Sequence, residues 1–74
     1  MKIIIIGMGV QGIKRKKYLG KDFIYSIDKN KISDFKSVYE VPLKDFDAAF
    51  ICLPENETFK VMRYCIENKK HIFL

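Results

Sequence analysis

The stretch Lys2-Ile3-Ile4-Ile5-Ile6-Gly7-Met8-Gly9-Val10-Gln11-Gly12 decides the fold. Four consecutive β-branched apolar residues read as a short strand covered on both faces, because a strand with one wet face would alternate. The run stops at Gly7. From Val10 to about Leu19 the residues are good helix formers, with Val10, Ile13 and Leu19 apolar and Lys14-Arg15-Lys16-Lys17 turned to water. Gly20 then ends the helix.

Working outward, Phe23–Ile27 reads as a second strand with Asp28 at its carboxyl end. Residues 29–37 are polar, with Ile32 and Phe35 spaced like one face of a short helix. Val38-Tyr39-Glu40-Val41 reads as a brief strand ended by Pro42, and Leu43 to Phe46 as one helical turn. Asp47–Leu53 is a further buried strand, and Pro54 marks its exit. Residues 55–69 carry a helix with Phe59, Met62, Cys65 and Ile66 on one stripe; Glu55 and Glu57 at its start and Lys69 and Lys70 at its end suit the helix dipole. His71–Leu74 opens another strand. Helices alternating with apolar strands predict an α/β fold, a Rossmann-type doubly wound parallel sheet with helices on both faces. A final strand only four residues long leads us to expect that residues 1–74 are the N-terminal part of a larger domain.

Length and composition bound the function. Seventy-four residues, 49% hydrophobic, make one small domain. No apolar run approaches a membrane span, and the N-terminal one is too short for a secretory signal. Cys52 and Cys65 are too few for a disulfide scaffold and read as small core residues in a reduced, cytoplasmic protein. The net charge of +5 divides into +6 over residues 1–36 and −1 over residues 37–74. Twelve of the fourteen basic residues are lysine, and no RNA-binding aromatic motif or zinc-finger spacing accompanies them, so the excess reads as a solvated face rather than a nucleic-acid surface. The sole histidine, His71, reads as structural, which leaves no Ser-His-Asp or Cys-His arrangement.

The chemistry lies in Gly7-x-Gly9-x-x-Gly12, which follows a strand directly and opens a helix. Gly7 permits the tight turn, Gly9 has no side chain to block a pyrophosphate, and Gly12 lets the helix lie close to the sheet; the free amides of the helix start then face the phosphates. Asp28, sixteen residues after Gly12, stands where a carboxylate accepts hydrogen bonds from both adenosine ribose hydroxyls and repels a 2′-phosphate. That favours NAD(H), while Lys29 and Lys31 leave NADP(H) open. Leu53 and Pro54 are expected to form an apolar wall for the nicotinamide half at the switch point of the sheet, and the glutamates beyond to cap the helix or touch the cofactor.

The glycine segment, Ser26-Ile27-Asp28, Asp47–Pro54 and Cys65–Leu74 together resemble the N-terminal domain of Gfo/Idh/MocA oxidoreductases over essentially the whole chain. The resemblance implies an NAD(P)(H)-dependent enzyme acting on sugars, cyclitols and related alcohols or ketones. It implies the pyrophosphate on the Gly7–Gly12 loop (Met8, Val10 and Gln11 included), the adenosine ribose on Asp28 with Lys29 beside it, and the nicotinamide side bordered by Leu53 and Pro54, with Glu57 or Thr58 near it. The family often has histidine where Thr58 stands. Its catalytic Glu-Lys-Pro motif would begin right after Leu74, so this chain carries the cofactor half and is expected to be inactive alone. Sugar-like substrate binding would need the family's second domain, through which family enzymes commonly form homo-oligomers. A different class also fits the first half: nucleotide-sensing regulatory domains of potassium channels and transporters, which catalyse nothing. A non-catalytic binding module is a third reading.

Overall fold

A computed structural model describes all residues, Met1–Leu74. Four strands, β1 (Ile3–Ile6), β2 (Phe23–Ile27), β3 (Ala48–Ile51) and β4 (His71–Phe73), form one all-parallel sheet in the order β2-β1-β3-β4. Two helices connect them, α1 (Val10–Leu19) between β1 and β2 and α2 (Glu55–Glu67) between β3 and β4. The chain leaves the centre of the sheet in opposite directions in the two connections. Parallel crossovers share one hand, so the two helices fall on opposite faces.

Side chains alternate along β1, and the contacts agree. Ile4 and Ile6 join Ile27, Ala49, Ile51, Val61 and Cys65 in the core under α2, while Ile5 faces α1 and lies next to Gly12. All four isoleucines of β1 are buried, as a doubly covered central strand requires. Fully burying a side chain of this size is worth roughly 1.5–3 kcal/mol, so β1 is the main anchor of a small core. The architecture is thus the expected α/β one, compatible with part of a Rossmann-type fold. No helix is long and apolar enough to cross a membrane.

Three local expectations change. Val38–Val41 is not a strand: Val38–Glu40 forms a 3-10 turn, with Val38 and Val41 both buried. The Ser37 hydroxyl accepts from the Tyr39 amide, and the Glu40 carboxylate accepts from the amides of Lys36 and Ser37. This capping box satisfies locally the donors a strand would have used. Residues 29–37 do not form a helix either. Asp28 accepts from the Asn30 and Lys31 amides and the Ser33 hydroxyl donates to the Asp28 and Phe35 carbonyls, bending the chain back along β2. There Phe35 bridges to Ile27 and packs edge-on against Tyr25, whereas Ile32 is fully exposed.

The third change concerns the helix stripes. In α2 the residues meeting the sheet are Val61 and Cys65; Met62 is partly buried, and Phe59 and Ile66 point away. On α1, Val10 and Ile13 are exposed and only Gly12 is buried. A helix that sits this close to the sheet does so on bare backbone, leaving little room for an apolar stripe. Leu43–Asp45 forms the expected single turn, of 3-10 type.

Candidate functional site

The carboxyl ends of β1, β2 and β3 open at one edge of the sheet, and the point between β1 and β3 where the strand order reverses is where such sheets hold ligands. A crevice of about 490 Å³ lies there. Its walls include Gly7 and Gly9 from the first loop, Asp28 and Lys29 from the second, and Leu53, Pro54 and Glu57 from the third.

The three glycines have separate duties. Gly7 adopts φ 98°, left-handed space that a side chain disfavours, and a Cβ there would strike the Cys52 carbonyl. Its amide donates to the Ile27 carbonyl at 2.7 Å, and the Cys52 amide donates to the Ile6 carbonyl at 2.8 Å, so the three strand exits are tied together. Gly12 abuts the Gly7 carbonyl closely enough that a Cβ would collide with it. Gly9 differs: a Cβ built on it meets no atom within 4 Å. The fold has no steric need of a glycine at Gly9, and the space its missing side chain leaves open is part of the crevice wall.

Gly9 is the N-cap of α1, and no side chain caps that end. The opening amides of α1 have no intrahelical acceptor, and no acidic residue occupies the first turn. Met8 is buried, and its amide donates to Asp28 Oδ2 at 2.7 Å. Asp28 Oδ1 accepts from the amides of Asn30 and Lys31 at 2.8 and 3.0 Å. These bonds, the Met8 amide first, hold the Asp28 carboxyl below its ordinary pKa against a smaller opposing effect of burial. The carboxylate offers about four acceptor positions, of which its own loop uses two and the Met8 amide of the glycine loop a third. One position on Oδ2, beside the glycine loop, remains for a ribose hydroxyl. This narrows the expectation that Asp28 takes both hydroxyls at once.

Across the crevice Lys29 Nζ pairs with Glu57 Oε1 at 2.8 Å, joining the β2 exit to the first turn of α2 and raising the lysine's pKa. Lys31 and Lys36 line the same wall, with Lys36 Nζ donating to the Lys31 carbonyl at 3.1 Å. Leu53 and Pro54 supply the apolar side, with Cys52 half-buried behind them. Burial raises the thiol pKa of Cys52, and that of Cys65 in the core, so neither is an activated nucleophile.

Several residues singled out in the sequence do not line the crevice. Gly12 is buried beneath the loop, and Val10 and Gln11 are exposed on α1. The Thr58 hydroxyl turns back to the Leu53 and Pro54 carbonyls at 3.2 and 3.0 Å, which makes it a brace for the α2 start. The crevice also recruits Ser37, Val38, Tyr39 and Val61. Of these the turn residues carried a readable signal, Ser37-x-x-Glu40, the capping-box pattern.

The residues present fit an adenine dinucleotide in two respects: the bare backbone at Gly9 beside an uncapped helix start, and the Asp28 carboxylate within the same crevice. Compared with protein-family models, with curated proteins and with solved structures, the chain finds no match.

Proposed function

We propose that the chain binds a nicotinamide dinucleotide, NAD(H) in preference to NADP(H), as the cofactor-holding segment of an oxidoreductase acting on a sugar-like or cyclitol alcohol or ketone. The observation that carries this reading is Gly9: it lines the crevice at the start of α1, and no neighbouring atom in the fold forbids a side chain there. A glycine with no packing reason, at an uncapped and acid-free helix start, fits the close approach of a pyrophosphate. Asp28 Oδ2 would take a ribose hydroxyl, and its charge disfavours a 2′-phosphate; Lys31 and Lys36 on the same wall soften that discrimination. Leu53 and Pro54 would border the nicotinamide side.

The bound cofactor supplies hydride transfer. These residues bind and orient it, the part of such chemistry that falls to the protein. The catalytic group is proposed to lie outside residues 1–74, so the chain alone is expected to show no turnover. The substrate class and a reducing, cytoplasmic setting are parts of the same proposal, resting on the resemblance of the strand exits and on two free thiols. Calorimetric titration with NADH, NADPH and ADP tests the reading. It predicts NADH binding at about micromolar to millimolar Kd, tighter than NADPH. No binding by any of the three overturns it; ADP held much more tightly than NADH points instead to a nucleotide-sensing regulatory domain.

A further inference from the structure

Helix α2 is apolar over a wider arc than the sheet covers. Val61 and Cys65 are buried in the core, whereas Phe59 and Ile66 are 73% and 60% exposed. The surface around these exposed residues is formed by α2 alone, so no other element of the fold covers it. In sequence these residues belong to a regular series, Glu55, Phe59, Met62, Ile66 and Lys69, at alternating steps of four and three; the first four lie on α2, Met62 half-buried at the edge of the core, and Lys69, at φ 59°, follows the C-cap. That is the spacing of a helix–helix seam, in which one stripe stays in register with a partner helix.

The series is symmetric in a way that selects its partner. Met62 is its midpoint, Phe59 and Ile66 flank it, and an acid and a base stand at the two ends. If two copies of α2 lie antiparallel about a two-fold axis at Met62, Phe59 of each meets Ile66 of the other, Met62 meets Met62, and Glu55 of each faces Lys69 of the other. An isologous interface needs this reciprocity. A parallel arrangement would set Glu55 against Glu55 and Lys69 against Lys69. Glu55 lies in the first turn of α2, and Lys69 lies just past the C-cap Asn68; both are exposed.

We infer that the Phe59–Met62–Ile66 seam of α2, exposed at Phe59 and Ile66 and half-buried at Met62, docks a second copy of this chain, the two helices antiparallel and closed at each end by a Glu55–Lys69 pair. Six apolar side chains make a small interface, which predicts a weak dimer that forms and dissociates with concentration. This inference does not depend on nucleotide binding.

Sedimentation equilibrium of the full chain, from low micromolar to about 1 mM, tests it. The expected result is a reversible rise from monomer to dimer mass. Phe59→Glu and, separately, Ile66→Lys should each weaken dimerisation at least about tenfold, with circular dichroism unchanged because both positions are exposed. Glu55→Lys and Lys69→Glu should each weaken association several-fold, and the double exchange should restore it. A monomer at every concentration overturns the proposal and leaves the seam to some other partner. So does a dimer indifferent to Phe59→Glu and Ile66→Lys, which would place the contact elsewhere, at the open edge of β4 for example. Failure of the double exchange to restore association overturns the antiparallel arrangement.

Discussion

The β1–α1 and β3–α2 joins are each three residues long and do the same topological work with opposite materials. Gly7-Met8-Gly9 is mostly bare backbone, and α1 follows it with Gly12 pressed on the Gly7 carbonyl and no acid in its first turn. Cys52-Leu53-Pro54 is made of side chains. Its helix starts with Glu55 and Glu57, which answer the positive end of the dipole from within the chain, and buries Val61 and Cys65 against the sheet. Two acids thus stand at the start of α2, Glu57 also paired with Lys29, and none in the first turn of α1, although neither end has a side-chain cap. An anion at the carboxyl edge of this sheet has one helix start available, that of α1.

The difference can be broken most severely at Gly12. Gly12→Val sets a side chain against the Gly7 carbonyl, backbone that has nowhere to go, and should cost more than about 3 kcal/mol or prevent folding altogether, as read by urea denaturation. On the α2 side the equivalent loss is of side-chain packing. Val61→Ala should cost about 1–3 kcal/mol, and Phe59→Ala less than about 0.5 kcal/mol, despite Phe being the larger group, because only Val61 is buried. Equal losses would return the buried face to the stripe expected from the sequence.

The electrostatic contrast can be reversed in one residue. Gln11→Glu gives α1 the first-turn acid that α2 already has. It should stabilise the fold by a few tenths of a kcal/mol, about 0.3, while weakening dinucleotide binding about three- to tenfold, the two effects having opposite sign. A smaller effect concerns Asp28. Its carboxyl is held below the ordinary value by the Met8, Asn30 and Lys31 amides, so its contribution to stability is fully present above the unfolded value near pH 4 and is lost as pH falls through the lower folded value. Denaturation midpoints measured from pH 6 down to about pH 2 should fall less steeply for Asp28→Asn than for the parent chain. Parallel curves would mean that the three amides do not depend on the charge.

The glycine loop and Asp28 are legible in the sequence because their demands are local. A turn off a strand, a close helix and a carboxylate at a strand end each require particular residues at particular offsets, and Gly7, Gly12 and Asp28 occupy those places in the fold. The parallel sheet follows from the alternation of apolar runs with helices, and the shared hand of crossovers puts the helices on its two faces. What is not legible depends on contacts between distant segments. Val61 and Cys65 turn to the sheet, Met62 sits at the edge of the core and Phe59 and Ile66 turn away, and only the neighbouring sheet decides which part of this apolar arc is buried. The wall formed by Lys36, Ser37 and Tyr39 exists because the segment after Asp28 folds back along β2. β-branched Val38 and Val41 suggest a strand, but the Ser37 and Glu40 side chains capture the amides first.

Calorimetry of NADH binding to the parent chain and to Gly9→Val, with thermal unfolding of both as the control, tests whether the glycine loop holds the dinucleotide. The open space at Gly9 predicts nearly unchanged unfolding, within about 1 kcal/mol for a valine at a helix N-cap, and affinity for NADH reduced at least about a hundredfold. NADH bound as tightly by Gly9→Val as by the parent would contradict the account: the glycine loop would then be a turn, and the crevice beside it would belong to some other ligand.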